Sequence, residues 1–262
     1  MKKKTKKSME PLAAKFWKMI YSTPLGWFWK QMYYRVNLLL RGERDPNEYI
    51  IDKKRELIFL VLSKNATTSI KRSFLSEDER KHYGDSYAIH RTQALKKRRK
   101  IPKKCQHFYS FCIIRNPFTR LVSLYESKFI NDQKKGEGFY YAGNSQFHLS
   151  MTFSEFAYIV CQTPDHLSDR HFRSQAFSIT KFWKDLDYVW KLEDMPQAFQ
   201  PLIDRWLSPL DISNKSKKGW IQKYFTIELL DRVYERYRDD ITLGGYESFY
   251  NDLRKKLVGE NH

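Results

Sequence analysis

Two hydrophobic patterns alternate along the chain. Leu57-Ile58-Phe59-Leu60-Val61-Leu62 and Phe108-Tyr109-Ser110-Phe111-Cys112-Ile113-Ile114 are nearly continuous apolar runs, the pattern of strands buried on both faces. Leu186 to Glu193 reads as a further strand, with a helix from Asp194 onward. Elsewhere the apolar positions recur at helical spacing. Phe118, Leu121, Val122, Tyr125 and Phe129 mark one core-facing helix, and Leu229, Leu230, Val233 and Tyr237 mark another within Thr226–Asp240. Thr152 to Val160 begins with a hydroxyl cap and an acid in the first turn, hence a helix. Ser76–Ser86, Asn131–Gly143 and Ile212–Gln222 read as loops, and no internal repeat is visible. Strands alternating with helices predict an α/β domain with a central parallel sheet.

Two strand-to-helix junctions carry the candidate chemistry. The first is Ser63-Lys64-Asn65-Ala66-Thr67-Thr68-Ser69, in which Thr67, Thr68 or Ser69 can cap the following helix. Such a turn aims backbone N–H groups and a helix dipole at one spot, and Lys64 adds a cation. It reads either as a cradle for phosphate or sulfate or as an ordinary connection with a solvated lysine. The second is Arg115-Asn116-Pro117-Phe118-Thr119-Arg120-Leu121-Val122-Ser123. Asn116 suits the N-cap and Pro117 the first helical position. Arg120, Ser123 and Ser127 fall off the core-facing stripe. The Arg115 guanidinium with the Ser123 hydroxyl suits a phosphate dianion. The competing reading pairs Arg115 and Arg120 with acidic neighbours.

Charge narrows the partners. The 262 residues carry a formal net charge of +18. Met1–Lys7 holds five lysines and Lys96–Lys104 seven basic residues, with no acid in either run. Such a surface attracts polyanions: nucleic acid, acidic lipid, or acidic glycans and nucleotides. Residues 8–40 interleave aromatics with lysine and arginine on both sides of Pro24-Leu25-Gly26. Helices of that kind either lie in a membrane interface or pack their aromatics on the domain. Arg41–Asn47 reads as a polar linker, so residues 1–47 form a basic, aromatic arm, with contact to an anionic membrane surface expected through residues 1–40, and 48–262 the domain. No apolar stretch is long enough to span a bilayer, and the lysine-rich start lacks a signal-peptide core. Cys105, Cys112 and Cys161 form no metal or disulfide pattern, which suggests reduced thiols and a cytoplasmic enzyme, peripheral on the inner face of the membrane.

The order and content of these motifs resemble the carbohydrate sulfotransferases that use 3′-phosphoadenosine 5′-phosphosulfate (PAPS), in particular the chondroitin, dermatan and heparan sulfotransferase group and its bacterial relatives. The similarity spans roughly residues 55 to 250. Lys64–Lys71 resembles the family's 5′-phosphosulfate loop, and Arg115–Ser123 closely resembles its 3′-phosphate site. His90-Arg91-Thr92-Gln93-Ala94 resembles a His-x-Thr-x-Ala stretch, and Asp169, His171 and Gln175 a Asp-x-His-x-x-x-Gln segment. Tyr188–Glu193 and Asp239–Tyr246 resemble two later landmarks. Family members often carry Pro before the lysine and Gly or Cys two or three residues after it, where this chain has Ser63 and Thr67. The absence of Gly-x-x-x-x-Gly-Lys separates the chain from ordinary P-loop kinases and NTPases.

The resemblance implies a P-loop NTPase-like three-layer fold, with a central parallel sheet flanked by helices. It implies sulfuryl transfer from PAPS to a hydroxyl of a cell-surface or lipid-linked glycan, releasing PAP (adenosine 3′,5′-bisphosphate), without a metal. Donor binding would fall to Lys64, Asn65, Ala66, Thr67, Thr68, Ser69, Arg115 and Ser123. Lys64 and His90 would be catalytic, with His171 the second choice of base. His171, Arg173 and Glu193 would meet the acceptor. Nucleic acid is not an expected partner; a basic nucleic-acid-binding module and a non-catalytic PAP-binding protein are the alternatives.

Overall fold

The computed structural model describes residues 24–82, 97–131, 147, 148, 150–182, 185–195, 197–205, 207 and 221–259. His90, the loop at 132–146 and residues 208–220 lie outside the described residues, as do residues 1–23 of the N-terminal arm.

Helix α1 (Pro24–Arg41) leads into a five-stranded sheet ordered β3-β1-β2-β4-β5, formed by β1 (Glu48–Asp52), β2 (Leu57–Val61), β3 (Lys97–Arg98), β4 (Tyr109–Ile114) and β5 (Tyr188–Lys191). The expected buried runs form the parallel part. Strands β2 and β4 pair with Phe59 opposite Phe111, and β4 and β5 with Ile113 opposite Trp190. The other edge is antiparallel, since β1 pairs with both β2 and β3. The sheet is therefore mixed, where the sequence suggested only parallel strands. The reversal is local chemistry. Asp52 Oδ1 accepts the backbone N–H groups of Lys54 and Arg55 at 3.0 and 3.1 Å, which closes a tight hairpin turn.

Side-chain alternation splits the core between the sheet's two faces. Ile58, Leu60, Cys112 and Ile114 join one cluster, against helices α4 (Pro117–Tyr125), α5 (Phe153–Gln162), α8 (Ile227–Arg236) and α10 (Glu247–Gly259). Leu57, Phe59, Phe111 and Ile113 join the other, with Ile70 of α2 (Thr67–Ser73) and Leu202 of α7 (Gln200–Arg205). The Phe59 and Phe111 rings stack at 5.0 Å between centroids on that second face. This is a three-layer α/β arrangement. The expected Thr152 capping box is present, with Glu155 as its reciprocal partner. Two expectations change. Ser76–Ser86 contains a short helix, α3 (Glu77–His82), and the helix expected over Thr226–Asp240 breaks at Tyr237 into α8 and α9 (Arg238–Gly244).

The segment expected to be a solvated linker is built into the domain. Glu43, Asp45 and Asn47 are buried. Arg173, only 1 % exposed, donates to the Glu43 carboxylate at 3.0 Å, the Asp45 carbonyl at 2.6 Å and Asn47 Oδ1 at 2.7 Å. Composition made these residues look like a linker; buried arginine partners make them part of the body.

Candidate functional site

Parallel strands β2 and β4 end side by side, and each runs into a helix at its carboxyl end. That is where ligands bind in open α/β sheets. At the first junction Lys64 and Ala66 both take positive φ, 70° and 51°. Ala66 is the N-cap of α2 and supplies no side-chain cap. Thr67, expected as a cap, instead donates its hydroxyl to the Leu62 carbonyl at 2.9 Å, pulling the turn back onto its own strand. The capping expectation is therefore corrected for Thr67, and the first turn of α2 starts without a side-chain acceptor at its N-cap. Thr68 and Ser69 lie half-buried in that turn.

At the second junction the expected caps are in place. The Asn116 carboxamide accepts the Phe118 and Thr119 N–H groups, and Pro117 occupies the first helical position of α4. Glu193 accepts the Asn116 N–H at 2.9 Å through Oε1 and the Tyr246 hydroxyl at 2.9 Å through Oε2. Its carboxylate thus braces the start of α4. Tyr246 is held protonated by burial, reinforced by the adjacent Glu193 charge.

The two junctions are bolted together. Arg115 donates from Nη1 to the Lys64 carbonyl at 3.1 Å and from Nε to Thr119 Oγ1 at 3.0 Å. Thr119 and Ser123 lie four residues apart on one side of α4, and Arg115, just before the helix, reaches the first of them. Burial lowers the Arg115 pKa, the Glu193 charge opposes that shift, and a guanidinium stays charged regardless. Asn65 is 1 % exposed, and its Nδ2 donates to the Ile113 carbonyl at 2.6 Å and to Gln175 Oε1 at 2.7 Å. Gln175 opens helix α6 (Gln175–Thr180); its Oε1 also accepts the Arg115 N–H at 2.9 Å, while its Nε2 donates to the Arg115 carbonyl at 2.8 Å and to Asp240 at 3.2 Å. Asn65 therefore works inward through its side chain, and Gln175 is the hub that sequence reading noted only as a polar landmark.

Arg120, off the core-facing stripe in the sequence pattern, is nonetheless buried. Its guanidinium donates to the carbonyls of Ser63 at 3.1 Å, Arg173 at 2.9 Å and Arg170 at 3.2 Å. Among the described residues its hydrogen-bond partners are backbone oxygens, not carboxylates. Arg120 thus clamps the 169–173 segment against the Lys64 turn. In that segment His171 Nδ1 lies 2.5 Å from Asp169 Oδ1. Burial opposes ionisation of Asp169, yet the charge and hydrogen bonds of His171 hold its carboxyl well below the usual carboxylate range. His171 is half-buried at this place, whereas Arg173 is enclosed by the body and turned toward Glu43.

The geometry thus brings together Lys64, Ala66, Arg115 and the 169–173 segment, with Ser123 further along α4. Among the described residues no cluster of three or more His, Cys, Asp or Glu side chains is arranged to hold a metal ion, and no helix is long and apolar enough to cross a membrane. No curated protein and no solved structure matches the chain. The model of the sulfotransferase family does match, over residues 47–247, which begin at the start of β1 and run through both junctions to the Tyr246 brace. With well over half of its length matched, the chain belongs to the sulfotransferase family.

Proposed function

We propose that the protein transfers a sulfuryl group from PAPS to a hydroxyl of a carbohydrate, releasing PAP. The observation that carries this reading is the bond from Arg115 to the Lys64 carbonyl, which ties the two anion-suited junctions together. A donor with phosphates at both ends of its nucleoside needs two such sites at a fixed separation. The Lys64 turn and the N–H groups of α2 face the phosphosulfate end, and Arg115 with Ser123 binds the 3′-phosphate.

In the reaction the acceptor oxygen forms a bond to sulfur as the sulfur–oxygen bond to the 5′-phosphate breaks. Negative charge grows on that bridging oxygen, and Lys64 and the turn N–H groups stabilise it. The acceptor proton passes to a general base, His90 or His171. Asp169 engages Nδ1 of His171 at 2.5 Å, which orients that ring and sets its tautomer. Glu193 and Gln175 act as positioning residues for the two junctions.

Calorimetry with PAP and with adenosine 5′-phosphate tests the donor site: PAP binds tightly, the monophosphate weakly, and Arg115→Ala removes the preference. Equal affinity for the two nucleotides overturns the reading. Transfer of labelled sulfate to a glycan panel, abolished in Lys64→Ala, tests the reaction.

A further inference from the structure

Helix α1 turns the wrong face to water. Phe28, Trp29, Met32, Tyr33 and Val36 are exposed, as are Leu39 at 84 % and Leu40 at 79 %. At about 100° per residue these positions fall within roughly 140° of the helix circumference, a single apolar stripe. The opposite side, which meets the domain, is the more polar one. Asn37 is buried there, Gln31, Tyr34, Leu38 and Arg41 are half-buried, and the Arg44 guanidinium lies 5.4 Å from the centre of the Tyr34 ring. An ordinary surface helix shows the reverse pattern.

Cations accompany the stripe. Arg35 is exposed on α1 itself. The segment following α1 is gripped by Arg99, which donates to the Pro46 carbonyl and lies 3.5 Å from the Glu48 carboxylate. That grip holds the basic run beside it, with Arg98, Lys100, Lys103 and Lys104 exposed. The sequence before α1 adds seven further lysines, from Lys2 to Lys18, against one acid, Glu10.

We propose that α1 is an interfacial anchor whose aromatic and leucine stripe inserts into the surface of an anionic bilayer. Aromatic rings and leucines supply buried area at the headgroup level, and the flanking lysines and arginines meet acidic lipid. The excess of positive charge favours acidic lipid over a second, equally basic copy of the chain, which would be repelled. The anchor is coupled to the candidate site. Arg44 donates its backbone N–H to the His166 carbonyl at 2.8 Å, Asp45 accepts the Arg170 N–H at 3.2 Å, and Arg170 reaches Glu48 at 2.6 Å. An inserted α1 therefore holds the His171 segment close to the membrane plane. If the sulfotransfer reading under Proposed function is right, that placement favours acceptors carried on a lipid.

Cosedimentation of the full chain with vesicles tests the anchor, and it reads the helix whether or not sulfate is transferred. Wild type is expected to pellet with phosphatidylglycerol-containing vesicles, to bind pure phosphatidylcholine weakly, and to release as salt is raised. Leu39→Glu/Leu40→Glu is expected to bind on the order of tenfold more weakly or worse. Trp29→Ser, at the other end of the stripe, gives a smaller loss, and both variants keep the wild-type melting temperature because these side chains are exposed. Wild type left in the supernatant overturns the proposal, as does equal binding of the Leu39→Glu/Leu40→Glu variant or equal binding to neutral vesicles. A concentration-dependent dimer that dissociates in that variant, without vesicle binding, overturns it in favour of self-association.

Discussion

At the end of β2 the chain turns through Lys64 and Ala66, both at positive φ, and enters a short helix whose N-cap offers no side chain. At the end of β4 it turns through Asn116 and Pro117 into a helix capped by the Asn116 carboxamide and braced from outside by Glu193. The same strand-to-helix plan is thus built open once and closed once. The closed junction satisfies its own backbone and so makes a rigid mount for Arg115. The open junction has no side-chain cap and holds two non-glycine residues in the left-handed region, at a cost in local strain. Rigidity at one junction is what lets strain persist at the other, because Arg115, Asn65 and Gln175 tie them together.

The largest expected effect removes the cation of the open junction. Lys64→Ala should lower sulfuryl transfer on the order of 10²–10³-fold, as loss of one preorganised donor does. The melting temperature should stay nearly unchanged; a variant that transfers sulfate normally would show that the open junction is not the reacting end. Next comes the tie between junctions. Gln175→Ala strands two Arg115 backbone groups and removes one of the two Asn65 amide partners, a loss of about 1–3 kcal/mol readable by denaturant unfolding. It should also weaken PAP binding, and a double-mutant cycle with Asn65→Ala should show strong coupling.

Smaller changes separate the junctions by their backbones. Asn116→Ala should cost about 1 kcal/mol, the usual value of a lost N-cap. Ala66→Gly should move the other way and stabilise by up to about 1 kcal/mol, because glycine tolerates the left-handed region better. If both destabilise equally, the contrast between a capped and a strained junction fails. The last test is acid stability. The depressed folded pKa of Asp169 gives stability that is fully present above the ordinary carboxylate pKa of about 3.9. That contribution fades as pH falls from there through the depressed value. Asp169→Asn should therefore flatten the acid side of the stability profile, whereas an unchanged profile would place the His171 contact outside the folded-state balance.

Much of this was legible beforehand. Continuous apolar runs fix β2 and β4 because strands buried on both faces have no polar positions to offer. The Asn-Pro pair fixes the start of α4 because both residues act locally. Lys64 and Arg115 could be named for the same reason, each standing at the exit of such a run. What escaped was every role that depends on a distant partner. Arg120 reads as a partner for acidic neighbours and Arg173 as an acceptor contact, until backbone carbonyls and buried acids surround them. Residues 43–47 look like a linker until Arg173 enters them, and Gln175 looks incidental until three elements converge on its carboxamide.

By itself, then, the sequence determined the elements and the two junctions, since periodicity, caps and turn residues act over a few positions. Only the tertiary structure decided which cations face inward, that α1 turns its apolar stripe to solvent, and that the two junctions are tied together. Those outcomes depend on burial and on hydrogen-bond partners 50 or more residues away, as with Arg115 and Lys64, and no local pattern encodes them.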